Sequence, residues 1–243
     1  MVALDNGMAL GADGLEYDVQ LSSDGIPVVI HDQTLDRTTD RAGPVNGLTA
    51  AELARVDAGY RFEKDGAFPF RGQGHGIPTL EGVLKKHAGV RTIIEMKGGQ
   101  PELARSVAAA IHKADAISWA CVGSFYASSV KALRNEHPEI YTSASTNECR
   151  WALHRSWVRW PWAGTYPYFA FQLPEMAGRM RVVSPALVEL IHRQGHHVQV
   201  WVVNEPADVR RLLDWGVDGI ISDRPDLAVQ ARDEWLEKHG HHQ

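Results

Sequence analysis

Two cysteines, Cys121 and Cys149, are all that this 243-residue chain contains. They are too few for a disulfide framework, and neither has neighbours at metal-ligand spacing; buried small-residue packing is expected for both. No apolar run reaches the ~18–20 residues that cross a bilayer, so no integral membrane segment is expected. Positive charge is not in excess: 25 Lys and Arg stand against 30 Asp and Glu, for a formal net charge of −5. No global field therefore recruits nucleic acid or an acidic membrane. Repeats and low-complexity tracts are absent, which sets aside solenoids and disordered linkers. Met1-Val2-Ala3-Leu4 runs straight into Asp5-Asn6-Gly7 without the pattern of a secretory leader. A cytoplasmic location is expected on that basis, and residues upstream of Met1 would remove the argument.

What is present is a chain 44% hydrophobic, long enough for one sizeable core, and single domains of this length are often α/β barrels. Short β-branched runs alternate with segments of helical period, as in strand–helix units on a parallel sheet. The expected strands are Gly14–Leu21, Ile26–Ile30, Thr92–Met96, Trp119–Gly123, Ile140–Ser145, His197–Val203 and Gly219–Ile221. The expected helices are Thr79–His87, Pro101–Ala114, Ala127–Glu136, Asn147–Trp157, Ser184–Gln194 and Pro206–Trp215. Ser184-Pro185 and Glu205-Pro206 read as helix starts, Gly195 and Gly216 as stops. Asp24-Gly25 joins the first two strands, either as a hairpin or as two barrel strands lacking an intervening helix. Residues 33–76 break the rhythm, with one short helical piece at Thr49–Val56, and read as an insertion over the barrel mouth. Trp157–Met176 is a second irregular patch, dense in aromatics. Asp218–Pro225 reads as the last strand with a polar exit loop, and the His-rich tail at His239-Gly240-His241-His242 as a frayed end.

The chemistry concentrates between Gly11 and Thr39, GADGLEYDVQLSSDGIPVVIHDQTLDRTT. Glu16 and Asp18 stand two residues apart, hence on one strand face. Burying both costs several kcal/mol unless a cation or donors compensate; the alternative is an exposed strand edge with solvated acids. Glu95 ends another apolar strand, and Lys97 shares its face. Three carboxylates from two strands suit a hard cation, Mg²⁺ or Ca²⁺. Lys97 offers a compact positive charge for an anionic substrate, with an internal salt bridge to Glu95 as the other reading. His31 ends the second strand and, beside a metal and a lysine, can serve as general acid or base. Trp201 ends a later strand, as a wall against substrate or as a core residue; Ser124-Phe125 is a weaker candidate of that kind. The remaining body histidines (His75, His87, His112, His137, His154, His192, His196 and His197) are expected at the surface.

GADGLEYDVQLSSDGIPVVIHDQTLDRTT, IPTLEGVL, IIEMK, VGSF, VWVVNE and GVDGIISDRPD, in this order, resemble the glycerophosphodiester phosphodiesterase family. The resemblance implies a single domain over residues 1–243, folded as a TIM (β/α)8-type barrel of the phosphatidylinositol-phospholipase-C kind, with residues 33–76 as a cap insertion. It implies hydrolysis of a small-molecule glycerophosphodiester to glycerol 3-phosphate and an alcohol with a divalent metal, Mg²⁺ or Ca²⁺. Glu16, Asp18 and Glu95 would ligate the metal, His31 would be one of two catalytic histidines, and Lys97 would hold the phosphate. The chain departs from the family pattern at its start. The strand ending in His-Arg-Gly, and the Glu-Asn-Thr that opens the first helix, are not in the sequence. Met1–Leu10 reads as the second half of that helix, so a truncated start and impaired activity are expected. Two other readings are a non-catalytic paralogue that binds metal and phosphodiester, and a sphingomyelinase-D-like phospholipase, against which the long insertion argues.

Overall fold

A computed structural model describes residues 1–158 and 166–240. In chain order the elements are α1 (Val2–Ala9), β1 (Gly14–Leu21), β2 (Pro27–Val29), α2 (Ala50–Leu53), α3 (Leu80–Lys86), β3 (Arg91–Met96), α4 (Pro101–Lys113), β4 (Ala120–Gly123), α5 (Ala127–Glu136) and β5 (Tyr141–Thr142). They continue with α6 (Thr146–Val158), β6 (Ala170–Pro174), β7 (Met176–Ala177), β8 (Met180–Arg181), α7 (Pro185–His192), β9 (His197–Trp201), α8 (Pro206–Asp214), β10 (Gly219–Ile220) and α9 (Pro225–His239). The chain falls into two compact units, Met1–Asp5 with Gly14–Tyr141, and Asn6–Asp13 with Thr142–Gln243.

In the first unit the sheet order is β2-β1-β3-β4-β5. β1 pairs with β3 in parallel, Asp18 opposite Glu95 and Glu16 opposite Ile93, and β3 pairs in parallel with β4. Strand period puts Leu15, Tyr17 and Val19 on one face of β1, where all three are buried. Glu16 and Asp18 take the other face. Because β1 has a partner on each side, it is not the exposed edge strand that would leave its acids simply solvated.

β2 settles the open question of the first connection: it runs antiparallel to β1, with Val19 opposite Val29 and Leu21 opposite Pro27. The loop is a hairpin in which Gly25 takes φ 76°, a backbone conformation that costs glycine nothing. Ser22 fastens it, its hydroxyl donating to Asp24 at 2.6 Å and accepting from the Ile26 N–H at 3.0 Å.

Residues 33–76 carry a 3₁₀ turn at Val45–Gly47 and the helix α2. Thr49 and Glu52 form a reciprocal capping box at the start of α2, and Asp24 accepts from the Ala50 N–H at 2.9 Å. Leu35, Val45, Leu53 and Val56 bury a small core of their own with Val28 and Ile77. Beyond it, Arg71 lies between aromatic faces, 4.4 Å from the Tyr60 centroid and 3.7 Å from that of Phe68. The excursion is thus a folded layer, although its composition reads as loop.

The second unit is built on the parallel sheet β10-β9-β6, with Phe171, Val183, Ile191, Val198, Val200 and Leu212 fully buried in its core. Both expected helix starts are present, Pro185 and Pro206 each leading its helix. Gly216 stops α8 at φ 81°.

Two elements and two histidines differ from the sequence reading. β6 lies inside the stretch read as irregular: Ala170-Phe-Gln-Leu-Pro174 has no β-branched residue, and it is a strand because it pairs along its length with β9. Pro174 is tolerated because it ends the strand. After the polar exit loop the chain forms α9, a helix that the sequence reading did not assign and that reaches His239, the first residue of the tail. Its buried stripe is narrow, Ala231 being the buried residue, so its period is faint. Arg232 ties it to Asp13 at 2.6 Å and to the Gly11 carbonyl at 3.1 Å. His87 and His196, expected at the surface, are buried. His87 is held by Asp5 at 3.0 Å, and His196 packs against the Tyr168 ring with centroids 4.8 Å apart. Residues 159–165 of the aromatic patch, and His241-His242 of the tail, lie outside the described residues.

Candidate active site

The register of β1 and β3 builds the site. Asp18 and Glu95 face each other across the parallel pair, Glu16 lies two residues before Asp18 on the same face, and Lys97 two residues beyond Glu95. The Lys97 N–H donates to the Val19 carbonyl at 3.1 Å, so the ladder continues and keeps Lys97 in step with β1. Glu16, Asp18 and Glu95 each offer an oxygen, and these atoms lie within 4.8 Å of one another. Such a set of hard oxygens can surround one Mg²⁺ or Ca²⁺ ion; it lacks the nitrogen and sulfur donors that Zn²⁺ favours.

Lys97 stands among these carboxylates. Its Nζ is 2.9 Å from Asp18 Oδ1 and 2.7 Å from Glu95 Oε1, with all three side chains largely covered. Burial alone would lower the lysine pKa; Glu95 and Asp18 outweigh it and hold the ammonium above its usual value. The Phe125 ring, exposed beyond β4, lies 5.8 Å from Nζ. The loop after β3 is fixed from the start of α5: Ser129 and Ser128 donate to the Gly98 and Gly99 carbonyls at 2.6 and 2.9 Å. Ser124 donates to the Met96 carbonyl at 2.6 Å, a positioning bond within the strand ends.

His31 reaches the same level by a different route. Antiparallel pairing carries β2 back along β1, so the Ile30 N–H donates to the Asp18 carbonyl at 3.0 Å. Gln20, on the carboxylate face of β1, donates to the His31 carbonyl at 3.1 Å. The imidazole itself is 63% exposed, and its Nδ1 lies 2.7 Å from Asp32 Oδ1. Arg37 grips the same carboxylate with two bonds of 2.5 and 2.9 Å. That guanidinium, with His31 second, holds the Asp32 carboxyl well below the usual carboxylate range. An ionised Asp32 is an acceptor only, so Nδ1 carries the proton it shares and Nε2 is left for chemistry.

Five of the six candidate residues therefore sit in the first unit on two adjoining strands and the strand that folds back on them. Trp201 is half-buried at the end of β9 in the second unit, opposite Pro174 of β6. Asp32 and Arg37 were not singled out by sequence reasoning. Asp32 follows the strand-ending histidine directly and was legible there. Arg37 lies five residues on, in the irregular excursion, where no period links it to a carboxylate.

Parallel strands alternating with helices define a protein of the α/β class. The chain belongs to the glycerophosphoryl diester phosphodiesterase family, whose pattern it matches over residues 1–227. It is 31% identical to a glycerophosphodiester phosphodiesterase of Caldanaerobacter subterraneus over 94% of this chain and 89% of that one. Among solved structures, it is similar to the glycerophosphoryl diester phosphodiesterase domain of a Mycobacterium tuberculosis protein, with a TM-score of 0.82 and 25% identity over 95% of this chain and 92% of that one. A glycerophosphodiester phosphodiesterase from Agrobacterium tumefaciens matches with a TM-score of 0.75 and 28% identity, over 93% and 91% of the two chains. The α/β barrel expected from the sequence is the fold these structures share. No helix among the described residues is long and apolar enough to cross a membrane.

Proposed function

We propose that the chain hydrolyses glycerophosphodiesters to glycerol 3-phosphate and an alcohol, using a Mg²⁺ or Ca²⁺ ion held by Glu16, Asp18 and Glu95. The observation that carries this reading is the register: three carboxylates and one lysine meet on adjoining parallel strands, within a chain that matches this family over most of its length. A cation bound there neutralises phosphodiester charge and polarises its oxygens. Glu16, Asp18 and Glu95 fix its place. Lys97, paired with two of these carboxylates, would hold a phosphate oxygen with its ammonium. His31 Nε2 exchanges a proton with water or with the departing alkoxide, and Asp32, clamped by Arg37, keeps the imidazole oriented. Water oxygen becomes bonded to phosphorus, the phosphorus–alkoxide bond breaks, and the proton ends on the alcohol. Residues 33–76 act as a cap.

Acid–base chemistry at both oxygens calls for two proton-transfer groups, and one of them is worth about 10²–10⁴-fold in rate. His31 is the proton-transfer group that the residues of this site supply, and slow hydrolysis by residues 1–243 is the expected outcome. The same observation supports a second reading, a paralogue that binds metal and phosphodiester without turnover. The test is release of glycerol 3-phosphate from glycerophosphocholine by the 243-residue chain, with Mg²⁺ or Ca²⁺ and with EDTA. Slow, metal-requiring release that Glu95→Gln abolishes supports the enzyme. Substrate binding with no release supports the second reading, and release indifferent to EDTA overturns the metal site.

A further inference from the structure

A second cluster of metal-ligating side chains stands at the seam of α4 and α5, and the proposed hydrolysis makes no use of it. His112 lies in the last turn of α4, His137 caps the C-terminus of α5, and Glu139 follows two residues later. Glu139 Oε1 is 2.9 Å from His112 Nε2 and 3.5 Å from His137 Nδ1. One ligand atom from each residue lies within 4.8 Å of the other two.

The frame beneath these side chains is fixed. Leu103, Val107 and Ile111 of α4 and Val130 and Leu133 of α5 are buried. Two turns before His112, Arg105 clamps Glu136 of α5 with bonds of 2.8 and 3.0 Å, which sets the register of the two helix ends. The His137 N–H donates to the Leu133 carbonyl at 2.7 Å, and the Ile140 N–H closes the next turn on the His137 carbonyl at 3.1 Å. Ile140 is buried, so the turn carrying Glu139 is anchored on both sides. All three site side chains remain open to solvent, at 40%, 28% and 42% exposure for His112, His137 and Glu139. An ion can therefore enter, and water can complete its shell.

We propose that His112, His137 and Glu139 form a binding site for a transition-metal dication of the Zn²⁺ type, which clasps α4 to α5. Two imidazoles and one carboxylate, with a fourth position left for water, are the donor set Zn²⁺ takes in open tetrahedral sites. The nitrogen donors separate this site from the all-oxygen set of Glu16, Asp18 and Glu95, which favours Mg²⁺ or Ca²⁺. The two sites also lie at opposite ends of α4. That helix leaves the end of β3 that bears Lys97 and runs 13 residues to Lys113, roughly 20 Å at 1.5 Å per residue. The clasp is thus an anchor for the helix layer, and it stands whether or not the chain hydrolyses a phosphodiester.

The test is calorimetric titration of the full chain with Zn²⁺, with millimolar Mg²⁺ present to occupy the carboxylate set. One site saturating at low-micromolar Zn²⁺ is expected. His112→Ala and His137→Ala should each weaken it at least tenfold, and Glu139→Gln should weaken it too. A variant with His239, His241 and His242 all changed to Ala should keep it. In thermal melts, saturating Zn²⁺ should raise the wild-type Tm by about 2–4 °C and leave the Tm of His112→Ala unmoved. All three substitutions of the clasp are at solvent-open positions, and circular dichroism of each variant should match that of the wild type. Unchanged affinity in His112→Ala and His137→Ala, loss in the tail variant, or no saturable binding by the wild type would each overturn the proposal.

Discussion

Lys97 Nζ bridges Asp18 Oδ1 at 2.9 Å and Glu95 Oε1 at 2.7 Å, so one ammonium spans the two strands on which the site is built. Without it, Asp18 and Glu95 would lose the ammonium that both pair with on a largely covered face, a circumstance that favours a bound cation.

Lys97→Met is accordingly expected to destabilise the chain by about 1–3 kcal/mol when no divalent ion is present, through carboxylates left uncompensated. Saturating Ca²⁺ should recover most of that loss and should raise the Tm of the variant more than that of the wild type. Thermal melts with and without Ca²⁺ read both effects. Equal Ca²⁺-induced shifts in the two proteins would separate Lys97 from the ion site.

Asp32→Asn keeps the shape of the His31 partner but removes its charge and lets the imidazole take either tautomer. We expect kcat for glycerophosphocholine to fall about 10–100-fold with KM little changed, since Asp32 touches His31 rather than substrate. Steady-state kinetics of the variant measures the split. A rise in KM at constant kcat would place Asp32 in substrate binding instead.

These two relationships differ in how far the sequence reveals them. Asp18, Glu95 and Lys97 were legible because strand period puts i and i+2 on one face and the second of the two strands ends in charge. That β1 and β3 are neighbours in register is a fact of pairing, which no local pattern encodes. The hairpin of β1 and β2 was half legible: Asp24-Gly25 announces a turn, but only pairing shows that β2 returns His31 to the level of Asp18. β6 and α9 escaped for opposite reasons. β6 has no strand-forming composition and exists through its pairing with β9. α9 buries Ala231 alone among its residues, too faint a stripe to show a period.

The folded layer over residues 33–76 rests on few groups. Thr49→Ala removes one half of the capping box and should cost about 1 kcal/mol. Leu53→Ala empties a fully buried position and should cost about 2–5 kcal/mol. Denaturant unfolding checks both, and a smaller effect for Leu53→Ala than for Thr49→Ala would mean that the layer lacks a packed core.

Burial pushes the Cys121 thiol up to about 12, and burial likewise raises the Tyr17 phenol above its ordinary value. Both groups stay neutral in the fold at a pH where the unfolded chain ionises them. Their contribution is fully present below the unfolded thiol value near 9 and is lost as pH rises from there toward 12. Chemical denaturation at pH 8 and pH 10.5 should therefore show lower stability at the higher pH, with a smaller drop for Cys121→Ala. An equal drop in the variant would remove Cys121 from the account.

The central claim is that Glu16, Asp18 and Glu95 together hold one divalent cation. Calorimetric titration of the EDTA-treated chain with Ca²⁺, for the wild type and for Glu95→Gln, tests it most directly. One Ca²⁺ per wild-type chain is expected, with affinity at least tenfold weaker in Glu95→Gln. Equal affinity in the two proteins, or no binding to the wild type, would contradict it.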